Sequence, residues 1–235
     1  MMAFWDSLAM AFRLILEGDA GLWAIVLLSL KVSLSAVLLA ALIGMPIGAL
    51  LAVGRFPGRG LLVVSINALM GLPPVFVGLV VYLMLSASGP FGVFQLLYTP
   101  TAMIIAQLVL VTPIIVALTR QMVEELHSEY AEYLRSLGVS PFAAIPTLLW
   151  DGRAALVTAL LAGFGRAIAE VGAVMIVGGN INHVTRVMTT TIALETSKGD
   201  LALALALGVL LICLAFAVNA AISLAGRAEW RLAHA

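Results

Sequence analysis

Arg166 and Glu170 stand inside an otherwise apolar stretch, Ala154–Val177, and are the pair whose chemistry most needs an explanation. If that stretch is helical from its start, Arg166 lies ~18 Å along it at ~1.5 Å per residue. That is well inside a ~30 Å hydrocarbon layer. Charges at such depth are costly, so they pair with one another or face protein interior or water. Spacing of four places both on one helix face. Two readings follow: an ion pair that locks a helix bundle, or a path or gate residue, Arg166, held in place by Glu170.

Other chemistry is sparse. His127, His183 and His234 have no ligand spacing with one another, with Cys or with a carboxylate, so no metal site is expected. Cys213 is the one cysteine and sits in an apolar run, where a thiol behaves as a small hydrophobe. No Gly-x-x-x-x-Gly-Lys-Ser/Thr loop is present, so the chain has no P-loop of its own, and any ATPase would be another polypeptide. No residue set supports catalysis.

The elements that position the deep charges are set by composition. The 235 residues are 63% hydrophobic and only 10% charged, with a mean hydropathy of +1.16. A soluble domain carries about 25% charged residues, and a small globule cannot hide this much apolar surface. Lipid must be the main solvent. Net charge is 0, with no basic excess to suggest nucleic acid. Five apolar stretches suit membrane helices of about 20 residues: Leu22–Val53, Leu61–Leu85, Thr99–Thr119, Ala154–Val177 and Leu201–Leu224. Ahead of them, Trp5–Leu16 gathers Asp6, Arg13 and Glu17 on one side, as in a helix lying at a membrane surface. The start has no basic cluster before an apolar core, so it reads as mature protein rather than as a signal peptide. The organisation expected is an extracytoplasmic segment 1–21, a five-helix membrane domain 22–224 and a cytoplasmic tail 225–235. Seven Lys and Arg fall in connections on one side, including Arg55, Arg59, Arg120, Arg135, Arg153, Arg227 and Arg231, against four on the other. The positive-inside rule puts the N-terminus outside and the C-terminus inside.

Gly44-Met-Pro-Ile-Gly48 and Gly71-Leu-Pro-Pro74 are helix breakers within these stretches. Gly71, Pro73 and Pro74 sit in a stretch without charge and form the best hinge candidate. Outside the lipid, Arg120–Arg153 concentrates the charge. Met122–Leu137 keeps a helical period, Gly138 turns the chain, and Ser140-Pro141 can start a second helix over Pro141–Leu149. The expected product is a cytoplasmic knob exposing Tyr133, Phe142 and Ile145 beside Glu132 and Arg135. An apolar patch rimmed by charge suits protein docking.

Glu132-Tyr-Leu-Arg-Ser-Leu-Gly138 resembles the cytoplasmic coupling loop of ABC importer permeases, whose pattern is Glu-Ala-Ala, three residues, then Gly. Tyr133 and Leu134 replace the two Ala, Leu148 takes a later Ile position, and Trp150 and Asp151 stand where Leu-Pro is usual. The resemblance implies an all-α, five-span type I importer permease fold. It also implies that Glu132, Tyr133, Arg135, Gly138, Ser140, Pro141 and Phe142 couple to a cytoplasmic ATPase. Two such ATPase subunits would use ATP and Mg, leaving this chain without a cofactor. A homodimer is expected in the cytoplasmic membrane of a prokaryote.

A second string, Ala169-Glu-Val-Gly-Ala-Val-Met-Ile-Val-Gly-Gly-Asn-Ile181, is similar to oxyanion permeases for molybdate, sulfate and tungstate. Its continuation Thr185–Gly199 looks most like the tungstate type. On that resemblance Arg166 and Glu170 border an anion path. A separate extracytoplasmic binding protein would choose the anion and dock near Asn180, Arg186, Thr189, Thr190 and Thr191. Molybdate or sulfate import is the alternative. An ion-coupled secondary carrier is less well matched, because five spans do not divide into two halves.

Overall fold

The computed structural model describes residues 2–233, with side-chain surroundings for residues 5, 7–218 and 220. His234 lies outside the described residues, as do the side chains of Arg227 and Arg231. The described chain is helical throughout, joined by turns and one 3-10 turn at Gly92–Phe94. The helices are α1 (Met2–Glu17), α2 (Ala20–Val53), α3 (Arg59–Leu69), α4 (Pro74–Leu85), α5 (Pro100–Glu129) and α6 (Ala131–Ser136). They continue as α7 (Ile145–Asp151), α8 (Arg153–Ile168), α9 (Gly172–Gly178), α10 (Met188–Lys198) and α11 (Leu201–Ala233).

Three stretches are long and apolar enough to cross a membrane: Ala20–Val53, Pro100–Glu129 and Leu201–Val218. Two bent pairs, α3 with α4 and α7 with α8, pass the same test and bring the number of spans to five if each pair is one span. The chain is a multi-pass membrane protein. The N-terminal amphipathic stretch is helical as expected, with Arg13 and Glu17 paired at 2.6 Å on its exposed side.

Three sequence expectations change. Leu61–Leu85 is not one helix. Pro73 is extended, with φ −64° and ψ 120°, and Pro74 opens α4. A residue before proline avoids helical geometry, and proline fits the first helical turn, so the chain stops and restarts there. Gly71 and Leu72 close the end of α3 with short-range bonds to Ala68 and Leu69. Conversely, Gly44–Gly48 does not break α2, which runs through Pro46 as a 34-residue helix. Finally, Ala154–Val177 divides after Ile168, and α9 forms a separate short helix.

The chain divides into two compact units, one of residues 1–36, 73–107 and 167–218, the other of 37–72, 108–166 and 219–235. In the first, α9 packs on α4. A Cβ at Gly78 would lie 2.7 Å from Ala173 Cα, so backbones touch there. In the second, the Gly44–Gly48 spacing faces α5. A Cβ at Gly48 would come within 2.6 Å of the Val116 carbonyl, a contact only glycine allows. Small residues spaced four apart are the usual means of close helix approach in lipid.

Candidate functional site

The loop after α5 carries most of the candidate coupling residues. The helix expected over Met122–Leu137 breaks at Tyr130, where ψ is 7°, and α6 follows as a separate short helix. Gly138, at φ +66°, closes α6. Its N–H donates to the Arg135 carbonyl at 3.1 Å, and the Val139 N–H donates to the Leu134 carbonyl at 3.1 Å. This is the paired bonding that ends a helix on a left-handed glycine. Ser140-Pro141 starts a turn rather than the expected helix: Ser140 Oγ accepts the Ala143 N–H at 3.3 Å. The second helix begins only at Ile145.

Beneath the loop, Ala144 and Leu148 are buried with Ala49, Ala52, Val53 and Val123. Burying such side chains contributes about 1.5–3 kcal/mol for each large aliphatic one. The loop is therefore seated on packed protein and not left to wander. Ile145 turns inward to this core and does not join the exposed face. Tyr133 (67% exposed), Phe142, Leu137 and Trp150 (71% exposed) are open to the surroundings. Glu132, Arg135, Ser140 and Pro141 are exposed beside them. The sequence pattern does not place Trp150 and Leu137 among the exposed residues; Arg153 lies 5.5 Å over the Trp150 ring.

The deep charges have a different geometry from the expected one. Arg166 is in the last turn of α8 and half-buried. Glu170 is past the end of that helix and 4% exposed, so the two are not on successive turns of one helix. Glu170 Oε1 accepts the Ala173 N–H at 3.1 Å. A carboxylate so placed meets an unpaired donor and the positive end of α9. Its own carbonyl accepts the Thr189 hydroxyl at 2.8 Å. Ser29, Ser33, Gln107, Glu170 and Thr189 surround a void of about 10 Å³, and the Gln107 Nε2 donates to Ala167 at 3.0 Å. Gly71, Pro73 and Pro74 form the corner between α3 and α4.

The segment after α9 is knit together from within. Thr185 Oγ1 accepts the Ile181 N–H at 2.9 Å. Thr191 Oγ1 donates to the Val187 carbonyl at 2.7 Å. The Met188 N–H reaches Ser29 Oγ at 2.8 Å. Thr189, Thr190 and Thr191 are buried, so they support a surface and do not form one. The exposed residues are Gly179, Ile181, Asn182, His183 and Val184. Arg186 is half-buried, 3.8 Å from Glu195, which Lys198 also pairs at 3.0 Å. Nearby, the Tyr82 hydroxyl, hydrogen-bonded to Tyr98, holds the Tyr98 phenol above its ordinary range. Among the described residues no group of three His, Cys, Asp or Glu could hold a metal ion.

A family model described as the binding-protein-dependent transport system inner membrane component matches residues 44–228. The chain belongs to this family. As one of its permease subunits, it works with an ATPase and a binding protein. The tungstate uptake system permease protein of Peptoclostridium acidaminophilum is 42% identical over 212 residues, covering 90% of this chain and 93% of that protein. A probable anion ABC transporter permease protein of Haloferax volcanii is 41% identical over 202 residues, 84% of this chain and 87% of that one. The sulfate transport system permease protein of Escherichia coli strain K12 is 28% identical over 184 residues, 74% and 66% of the two chains. Membership fixes the role of this all-helical membrane protein as a transport subunit of an ABC importer, with no catalytic step of its own to perform.

Proposed function

We propose that this permease passes a tetrahedral oxyanion, tungstate, from an extracytoplasmic binding protein to the cytoplasm. The observation that carries the reading is the 42% identity, over 90% of the chain, to a tungstate uptake permease. Likeness to sulfate permeases is lower, 28% identical in the Escherichia coli case. Molybdate is the nearest competing cargo, being the same shape and charge.

The Ala131–Asp151 loop is the ATPase contact. Tyr133, Leu137, Phe142 and Trp150 would enter a groove on the ATPase, with Glu132 and Arg135 at its rim. Gly138 shapes the loop, and the packing of Ala144 and Leu148 carries its displacement to α2 and α5. This places Arg55, Arg59 and the loop inside, with the N-terminus outside, as charge asymmetry favours. Five spans barely enclose a path for a hydrated dianion, whereas two copies can, and twofold assemblies are the commonest homo-oligomers. We therefore assign a homodimer bound to two ATPases.

Arg166 and Glu170 are assigned to the path or its gate, and the Gly71–Pro74 corner to its bend. Weak, transient donors suit transport, because tight binding stops release. The binding protein would dock on Gly179–Val184 and Arg186, with Thr189–Thr191 as the scaffold behind. Selectivity then resides in the binding protein, where a closed site can discriminate between similar anions. The test is labelled tungstate, molybdate and sulfate uptake in vesicles with and without the binding protein. Selective uptake that persists without it would place the filter in this chain.

A further inference from the structure

The α2–α3 connection and the end of α5 enclose a cavity of about 330 Å³ that the transport reading does not use. Arg55, Arg59, Glu124, His127 and Ser128 supply its polar lining. Arg59 is largely committed: Nε donates to the Leu51 carbonyl at 2.7 Å, and a terminal nitrogen reaches Glu124 Oε1 at 2.7 Å. Arg120 pairs with the other oxygen of the same carboxylate. One negative charge is thus shared by two guanidiniums, and the local balance is positive. Arg55 is exposed and has no ion pair among the described residues. The Nδ1 atom of His127 is shut off from solvent and has no hydrogen-bond partner.

A surplus cation and an open, polar-lined volume converge on one need, an acceptor-rich anion. We propose that this cavity takes a tetrahedral phosphate group, brought either by the headgroup of an anionic phospholipid or as free inorganic phosphate. At about 30 Å³ for each water, the space holds a phosphate with several waters. The long apolar helix α2 ends at Val53, two residues before Arg55. Basic pockets at the ends of membrane helices are suited to such groups. An occupant would join the α2–α3 connection to Ser128 and Ala131, where α5 gives way to α6. It would stiffen the base of the loop.

The full-length chain, purified in nonionic detergent, can be titrated with phosphatidylglycerol, with phosphatidylcholine as the neutral control, and separately with inorganic phosphate. The readouts are the thermal unfolding midpoint and the lipids retained in native mass spectrometry. Phosphatidylglycerol or phosphate should raise the midpoint, and Arg55→Gln should weaken the response about fivefold. Arg55→Lys should restore most of it. His127→Phe, which keeps a ring and removes both nitrogens, should weaken it independently. A response to phosphatidylglycerol alone identifies the lipid as the source, and a response to phosphate identifies the free anion. No response to either, or equal affinity in the wild type and both weakening variants, overturns the site.

Discussion

Asn180 and Thr190 hold each other across ten residues: Thr190 Oγ1 donates to Asn180 Oδ1 at 2.9 Å, and Asn180 Nδ2 donates to the Thr190 carbonyl at 3.2 Å. The pair ties the end of α9 to the first turn of α10. Asn180 also sits at φ +50°, a region that asparagine tolerates better than most residues. Asn180→Leu removes both bonds and keeps the branching and number of heavy atoms of the side chain. We expect a loss of about 1–3 kcal/mol, read as a thermal midpoint several degrees lower. Unchanged stability would show that the segment is held by other contacts.

Gly138 offers a graded test of the loop. Its φ of +66° costs a residue with a Cβ about 1–2 kcal/mol. Nothing lies within 4 Å of a Cβ placed there, so backbone strain is the sole penalty. Gly138→Ala should weaken ATPase coupling mildly. Gly138→Pro also deletes the N–H that bonds to Arg135, and should uncouple ATP hydrolysis from transport. Equal transport rates for all three proteins would remove Gly138 from the coupling path.

The exposed aromatics should dominate ATPase affinity if they are buried on docking. Trp150→Ala should cost about 2 kcal/mol or more, as interface tryptophans do, which is about a 30-fold weaker ATPase affinity. Ile145→Ala should act differently, lowering stability rather than docking, because Ile145 packs against the core. Titration of labelled ATPase against detergent-solubilised variants separates the two effects.

Gly48 and Gly60 make a matched pair for helix packing. A Cβ at Gly48 would meet the Val116 carbonyl at 2.6 Å, while one at Gly60 meets nothing within 4 Å. Gly48→Leu should overpack by about 1–3 kcal/mol and cut the folded yield. Gly60→Ala should be neutral or slightly stabilising. Equal yields would contradict the close approach of α2 and α5.

The sequence made the lipid-solvated, all-helical class legible through the long apolar runs, which only a membrane can cover. It also marked Gly138 as a turn, since glycine there interrupts a clean helical period. It misjudged Pro46 as a breaker, while Pro73-Pro74 interrupts the helix as read. Pro46 and Pro113 are absorbed within α2 and α5, whereas Pro73-Pro74 stops the chain. The difference is that two adjacent prolines remove two donors and exclude helical geometry from the residue ahead. Thr189–Thr191 read as a polar surface because hydroxyls are weak donors. Yet their bonds to Glu170, Asn180 and Val187 are tertiary or local partnerships that no spacing rule reveals. Glu170 likewise read as one turn from Arg166, because nothing in the apolar pattern marks the stop after Ile168.

ATP-driven import of tungstate delivered by a binding protein is tested most directly by uptake of labelled tungstate into vesicles holding the permease and its ATPase, with binding protein and ATP each present or omitted. Tungstate should accumulate only when both are supplied, and in preference to sulfate. Accumulation without ATP, driven by an ion gradient, would contradict it.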